Sequence, residues 1–208
     1  YAGNGTVFTS QLHEFAEEGT VIMASNFQPN FVATTIWHKD NNEINKVLSD
    51  WQDYASYVTL VRPESKGNIS SRLFNFPMVS YKFNPIDLPM IKKALRRTVE
   101  LLFSSGASHI YLPIIGCPAV RSIKFYDDYI DSVKIKQLEL TSVHAMASCP
   151  MGISPKYSVV NPNGQLWNID NVFVADASIL PTNIGESPQG TIMAFANEIV
   201  KRHLATIN

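Results

Sequence analysis

The stretch LPMIKKALRRTVELLFSS, residues 88–105, is the clearest helix in the sequence. Its apolar side chains recur at the three- and four-residue spacing that places them on one helix face, and its charged side chains lie elsewhere. Asp87 is placed to cap the helix, Pro89 fits its first turn, and Gly106 follows its end. We expect this helix to cover a sheet.

Three short apolar or β-branched runs before this helix predict the strands of that sheet. They are Thr20–Ser25, Tyr57–Val61 and Asn68–Leu73. After the helix, His109–Pro113 predicts a further strand, and 122–140 predicts a helix followed by a connection. The fold class predicted for this part of the chain is α+β, an antiparallel sheet covered by helices.

The chain changes in character after residue 140. Asn161-Pro-Asn-Gly164 predicts a hairpin turn, and Asn171-Val-Phe-Val-Ala175 after it predicts an apolar strand. A last helix is expected from about Pro188 to Leu204.

Composition limits the classes of function. Seventeen Lys and Arg against 18 Asp and Glu give a net charge of −1 without a basic stripe, so nucleic acid is not an expected partner. The longest uncharged stretch, 106–120, is broken by prolines and does not predict a transmembrane helix, which needs roughly 20 apolar residues. The chain begins at Tyr1 without a signal-peptide pattern, so we expect a segment of a longer protein. Cys117 and Cys149 do not make a disulfide framework, so a reducing cytoplasm is the default expectation.

The loop before the last helix is a candidate binding site. Ser187 is a good N-cap, Pro188 fits the first helical position, and Gly190 leaves room for a ligand close to the backbone. Free N–H groups at a helix start favour an anion or an oxygen that gains negative charge. The alternative is an ordinary capped helix.

The stretch His144-Ala-Met-Ala-Ser-Cys-Pro-Met-Gly152 holds a candidate base. An imidazole exchanges protons near neutral pH because its ordinary pKa is about 6.5. His144 lies in an uncharged stretch of small residues, whereas the surroundings of His13, His38 and His203 are charged or polar. A structural histidine is the alternative.

Cys149 suggests two other kinds of site. A Cys–His or Ser–His hydrolase would use Cys149 or Ser148 with His144, but no hydrolase signature accompanies them. A zinc site needs three or four ligands at suitable spacing, and no second Cys/His pair is present. We therefore predict no metal site and a structural thiol at Cys149.

These features together resemble the C-terminal signature of the GMC (glucose–methanol–choline) oxidoreductases. That signature runs from a histidine through Cys-x-Met-Gly, a hairpin and an apolar strand to Asp-Ala-Ser, Pro-Thr and a last helix. The matching residues, in chain order, are His144, Cys149, Met151-Gly152, Ser158–Val160, Val172–Ser178, Pro181-Thr182, Ser187–Gln189 and Thr191–Met193. Val58–Pro63 and Ser104–Ala107 resemble the family more loosely.

The resemblance implies FAD as the cofactor and a small-molecule alcohol or sugar as the substrate. It implies that His144 takes the proton of the substrate hydroxyl while hydride moves to flavin N5. It also implies that the last helix starts against the flavin, where the helix dipole stabilises negative charge. The cofactor contacts implied are Asp176, Ala177, Pro188, Gln189, Gly190 and Thr191.

The resemblance also implies two parts of the chain. Residues 1–140 would be a substrate-binding α+β domain with a truncated start, and 141–208 would complete an α/β FAD-binding domain. None of the ten glycines forms G-x-G-x-x-G, so the N-terminal FAD-binding part of the same protein is an expected partner. The substrate itself is not predicted, although Trp37, Phe74, Phe76 and Tyr81 could line its site or simply pack.

Two departures from the family pattern concern the site. Ala147-Ser148 stands where the family usually has Gly-Thr, which is a mild change. Ser187 stands where the second catalytic residue is commonly His or Asn, and its hydroxyl is shorter than either side chain. Asn183 and Glu186 in the same loop are the candidates for compensating the shorter side chain. A non-catalytic relative that serves as a binding or assembly module is therefore the alternative function.

Overall fold

The computed structural model describes residues 10–25, 29–73 and 76–207. Short 3₁₀ turns at Ala16–Glu18, Trp51–Asp53, Ile135–Gln137 and Ala177–Ile179 lie between the regular elements. The elements in chain order are β1 (Gln11–Leu12), β2 (Thr20–Ala24), α1 (Pro29–Thr35), α2 (Asn41–Ser49), β3 (Tyr57–Val61), β4 (Gly67–Leu73), β5 (Phe76–Tyr81), α3 (Asp87–Ser104), α4 (Ile123–Ile130) and α5 (Gln189–Ile207).

Strands β1, β2 and β3 form an antiparallel sheet in that order, and β4 and β5 form a second sheet of two strands. The three predicted strands correspond to β2, β3 and β4, with ends shifted by no more than one residue. In the register of the first sheet, Ile22 lies opposite Thr59. The predicted α+β class, with helices covering an antiparallel sheet, is confirmed.

Contacts divide the chain into two compact units. The first holds the described residues up to Lys66 together with Tyr81–Leu140, and the second holds Gly67–Ser80 together with the chain from Thr141 onward. The first unit therefore contains the three-stranded sheet and helices α1 to α4. The second contains β4, β5 as far as Ser80, helix α5 and the irregular backbone that precedes α5.

Helix α3 provides the centre of the first unit. Ile91, Leu95 and Val99 on its apolar face are buried in one cluster with side chains from the segments that follow it. The Thr98 hydroxyl lies 2.7 Å from that of Thr59, which ties the helix to β3. Burial of each large aliphatic side chain contributes about 1.5–3 kcal/mol, so this face largely determines how the unit packs.

Asp87 does not cap α3, and that prediction is wrong. The residue before the helix is Ile86, and no side chain caps it. The buried Asp87 carboxylate instead accepts hydrogen bonds from the backbone N–H groups of Glu64 at 2.8 Å and Ser65 at 3.1 Å, and from the Ser65 hydroxyl. The carboxylate binds these two N–H groups of the β3–β4 connection in preference to the free N–H groups at the start of α3.

The predicted strand at His109–Pro113 is also wrong. This segment forms one isolated bridge, Ile110 with Val120, and Ile114 just after it forms another with Leu138, because no neighbouring segment runs beside it for more than one residue pair. The helix predicted after it is confirmed as α4, whose first turn is capped by the Ser122 hydroxyl accepting from Phe125 N–H at 3.1 Å.

The second unit has a small core of its own. Val160, Ile179 and Ile199 are buried together, the last of these from α5. The predicted turn at Asn161–Gly164 is confirmed by hydrogen bonds from Asn161 N–H to Gln165 at 2.8 Å and from Gly164 N–H to Asn161 at 2.9 Å. A Cβ at Gly164, whose φ is +79°, would lie 2.7 Å from Ile199 Cδ1, so the turn packs tightly on α5.

The apolar strand predicted at Asn171–Ala175 is not a continuous strand. It forms a single bridge, between Phe173 and Gln165, which is extended by a bond from Leu166 N–H to the Val172 carbonyl at 3.0 Å. The turn at Asn161–Gly164 provides only this short antiparallel partner, so no longer ladder forms in the described part of the chain.

Four aromatic side chains were considered for a substrate surface. Trp37, Phe76 and Tyr81 are exposed, while Phe74 lies outside the described residues.

Among the described helices, none is long and apolar enough to cross a membrane.

A buried polar cluster lies between α1 and the end of the first unit. The His38 side chain is 1 % exposed, and its Nδ1 lies 2.7 Å from Oε2 of Glu139. Lys39 beside it is also buried, and its ammonium donates to the Cys117 carbonyl. Burial lowers the pKa of His38, and the Lys39 charge lowers it further against the opposing effect of Glu139.

Replacing Asp87 by Ala should lower the free energy of unfolding by about 2 kcal/mol, because it removes hydrogen bonds to a charged acceptor. Urea unfolding followed by tryptophan fluorescence measures the change. Asp128→Ala is the matched control, since Asp128 pairs with Lys124 at an exposed site and such pairs contribute less than about 1 kcal/mol. Equal losses in the two variants would contradict the role of Asp87.

Acidification should destabilise the first unit through His38. The lowered folded-state pKa means that the unfolded chain binds the proton more tightly, so stability is lost as the pH falls from about 6.5 through the folded-state value. Each unit by which the pKa of His38 differs between the folded and unfolded states changes the free energy of unfolding by about 1.4 kcal/mol. Unfolding midpoints across this pH range, compared for the parent, His38→Gln and the exposed-histidine control His13→Gln, measure it. An unchanged pH dependence in His38→Gln would contradict the assignment.

Candidate functional site

His144 lies on an irregular segment at the start of the part of the second unit that begins at Thr141. Its side chain is half-buried, and it makes no hydrogen bond to another described residue. Residues 141–148 form no helix or strand. The imidazole of His144 therefore has both ring nitrogens available within this part of the chain.

The residues that follow His144 are held by main-chain hydrogen bonds. Cys149 N–H donates to the Ser178 carbonyl at 3.0 Å, and Met151 N–H donates to the Ile179 carbonyl at 2.9 Å. Gly152 N–H donates to the Val160 carbonyl at 3.0 Å. The structure thus brings the Cys-x-Met-Gly segment directly against the turn that contains Asp176 and Ala177.

Asp176 shapes that turn. Its carboxylate accepts from Ser178 N–H at 2.8 Å and from the Ser178 hydroxyl at 2.5 Å, which caps the 3₁₀ turn at Ala177–Ile179. The hydroxyl bond, followed by the backbone bond, lowers the pKa of Asp176. Ala177 N–H donates to no other described residue, so it remains available to a ligand.

Helix α5 begins one residue later than expected. Ile192 N–H donates to the Pro188 carbonyl at 2.8 Å, which makes Pro188 the N-cap and Gln189 the first helical residue. The predicted capping role of Ser187 is therefore wrong, and no bond from its side chain reaches another described residue. Proline suits the cap because its nitrogen carries no hydrogen that needs an acceptor.

The first turn of α5 presents three backbone donors. The N–H groups of Gln189, Gly190 and Thr191 have no acceptor within the helix, as at any helix start. Gln189 and Gly190 are exposed, and a Cβ added at Gly190 would meet nothing within 4 Å. This end of the helix can therefore receive the edge of a planar ligand that carries negative charge.

The other residues of the loop, Ser187, Asn183 and Glu186, are less clearly arranged for catalysis. No hydrogen bond links His144 to Ser187. Asn183 Oδ1 accepts from Gly185 N–H at 2.7 Å, so its carbonyl is engaged within its own turn. Glu186 is exposed. Compensation for Ser187 by Asn183 or Glu186 stays a prediction.

Cys149 is half-buried and contributes its backbone rather than its thiol to the contacts described above. Within residues 10–25, 29–73 and 76–207, no group of three or more His, Cys, Asp or Glu side chains is arranged to hold a metal ion.

Sequence reasoning missed two features of this site. Ser178 both anchors Cys149 through its carbonyl and bonds to Asp176 through its hydroxyl; the Asp-x-Ser spacing is the signal that could have indicated the second contact. Ala147 has a φ of +64°, in the left-handed region. No sequence signal predicts this for an alanine, except that glycine is usual there in the family that the chain resembles.

Comparisons with known proteins agree with one another. The family model described as GMC oxidoreductase matches residues 56–196. An uncharacterised GMC-type oxidoreductase of Mycobacterium tuberculosis is 26% identical over 207 residues, covering 100% of this chain and 33% of that protein. A long-chain-alcohol oxidase of Arabidopsis thaliana is 27% identical over 186 residues, covering 85% of this chain and 25% of its own.

Solved structures show the same fold. A formate oxidase of Aspergillus oryzae RIB40, in which FAD modification has been examined, superposes with a TM-score of 0.59 at 18% identity, over 90% of this chain and 32% of that one. The chain thus spans about a third or less of the length of the proteins it matches. Because the family model covers most of the sequence, the chain belongs to the GMC oxidoreductase family.

Proposed function

We propose that this chain is the C-terminal part of an FAD-dependent oxidoreductase that oxidises the CH–OH group of an alcohol or sugar, with His144 as the proton acceptor. The observation that carries the proposal is the attachment of the segment after His144 to the Asp176 turn, through the bonds of Cys149 and Met151 to Ser178 and Ile179. A candidate base and a candidate cofactor-binding turn are thereby joined in one unit.

The residues present fit one end of an FAD molecule. The unpaired N–H groups of Gln189, Gly190 and Thr191 suit the electron-rich edge of a flavin, and the open space at Gly190 lets a ring approach the backbone. The free N–H of Ala177 and the cap formed by Asp176 would provide a second contact. A pyrophosphate-binding G-x-G-x-x-G must come from another part of the same protein.

Bound FAD supplies a hydride acceptor for the carbon that loses its hydrogen. His144 receives the hydroxyl proton on a ring nitrogen, so the C–H and O–H bonds of the alcohol are both broken and a carbonyl product forms. His144 needs no partner within this loop to do so, because its ring nitrogens are unpaired there. Ser187 would donate a hydrogen bond to the substrate oxygen from the start of α5.

The name of one relative supports an alcohol as the donor. The long-chain-alcohol oxidase of Arabidopsis thaliana matches this chain over 85% of its length. We therefore propose an alcohol as the substrate class to assay first, with the rest of the same protein as the partner that completes the site.

His144→Gln in the full-length flavoprotein should lower kcat/KM for the alcohol by about 10²–10⁴-fold, because glutamine cannot accept the proton. Steady-state kinetics at matched flavin content measures the loss. His13→Gln, which removes an exposed histidine of the first unit, is the control and should turn over like the parent.

Two outcomes would count against the proposal in different ways. Unchanged turnover in His144→Gln would remove His144 from the mechanism. A parent protein that binds no flavin, or whose flavin no alcohol or sugar reduces, would favour the alternative function, a non-catalytic module for binding or assembly.

A further inference from the structure

Ala147 occupies a backbone conformation that alanine rarely adopts. Its φ is +64°, and the only other non-glycine residue with a positive φ in the described chain is Asn171, of a type that tolerates it. An L-alanine in this region brings its Cβ too close to the following carbonyl, so the conformation carries a steric cost that glycine does not bear.

The backbone that follows Ala147 is anchored by hydrogen bonds. Cys149, Met151 and Gly152 each donate a backbone hydrogen bond to a fixed neighbour, at 2.9–3.0 Å. Two of the acceptors, Ile179 and Val160, are themselves fully buried in the core of the second unit. The chain after Ala147 is therefore held on the core of the second unit.

The chain before Ala147 has no comparable support. Residues 141–148 donate and accept no main-chain hydrogen bond with other described residues, and most of them are exposed. The direction in which this segment leaves the anchored part is consequently set by backbone torsions. His144 is three residues before the left-handed turn.

We propose that Ala147 is a positioning residue, whose left-handed backbone directs the His144 segment out of the anchored Cys149–Gly152 segment. The proposal rests on the proposed function, in which His144 is the base. The role depends on backbone conformation alone: the φ of residue 147 determines the direction of the His144 segment, and the methyl group of its side chain does not.

Three substitutions at one position separate backbone conformation from side-chain size. Glycine and asparagine both adopt positive φ readily, whereas β-branched valine, close to asparagine in volume, does not. Ala147→Gly and Ala147→Asn should therefore keep kcat within about threefold of the parent, whereas Ala147→Val should lower kcat at least tenfold with a much smaller change in KM. Ala145→Val, in the same exposed loop at ordinary φ, is the matched control and should keep the parent kcat.

A second measurement does not depend on activity. Ala147→Gly should raise the unfolding temperature of the full-length holoenzyme by about 1 °C, because glycine adopts a positive φ without the steric cost that alanine bears. This shift decides the matter if Ala147→Val fails to fold. A lower unfolding temperature in Ala147→Gly, or a kcat in Ala147→Val equal to that of Ala145→Val, would overturn the proposal.

His144→Gln assayed in parallel distinguishes the two levels of failure. If His144→Gln is slow while Ala147→Val is not, the positioning role is wrong and the proposed function stands. If His144→Gln turns over like the parent, the proposed function fails and the role of Ala147 fails with it.

Discussion

The backbone hydrogen bonds from Cys149 to Ser178 and from Met151 to Ile179 are the interactions on which the proposed site depends. They join a segment without regular structure to a turn whose shape is fixed by Asp176. Ile179 at the end of this turn is buried against α5 and so holds the turn on the core of the second unit. A chain of short-range contacts therefore runs from a hydrophobic core to the loop that carries His144, and the loop needs no secondary structure of its own.

The two units divide stability and chemistry between them. In the first, α3 packs on an antiparallel sheet, and buried polar groups such as Asp87 and Lys39 tie loops to that framework. In the second, the groups suited to chemistry lie on loops and at a helix start, where backbone donors and side chains stay accessible. Such a distribution is common in enzymes, because a rigid scaffold and exposed reactive groups make opposite demands on burial.

The regular spacing of apolar residues predicted those helices and strands that depend on local sequence alone. Helix α3 and strands β2, β3 and β4 were predictable because their apolar spacing matches one structural period. Contacts distant in sequence decided the rest. Asp87 bonds to residues more than 20 positions away instead of capping its helix, and His109–Pro113 has no neighbour long enough to make it a strand. At the site, the sequence indicated His144 and the start of α5, yet the left-handed backbone of Ala147 could not be predicted from an alanine.

We propose that the chain completes a flavoenzyme that oxidises alcohols, and one spectrum tests this proposal directly. The full-length protein is purified, oxygen is removed, and its visible absorption is recorded before and after addition of a long-chain primary alcohol. We expect an oxidised flavin spectrum that bleaches on addition of the alcohol. A protein without bound flavin, or a flavin spectrum that no alcohol or sugar changes, would contradict it.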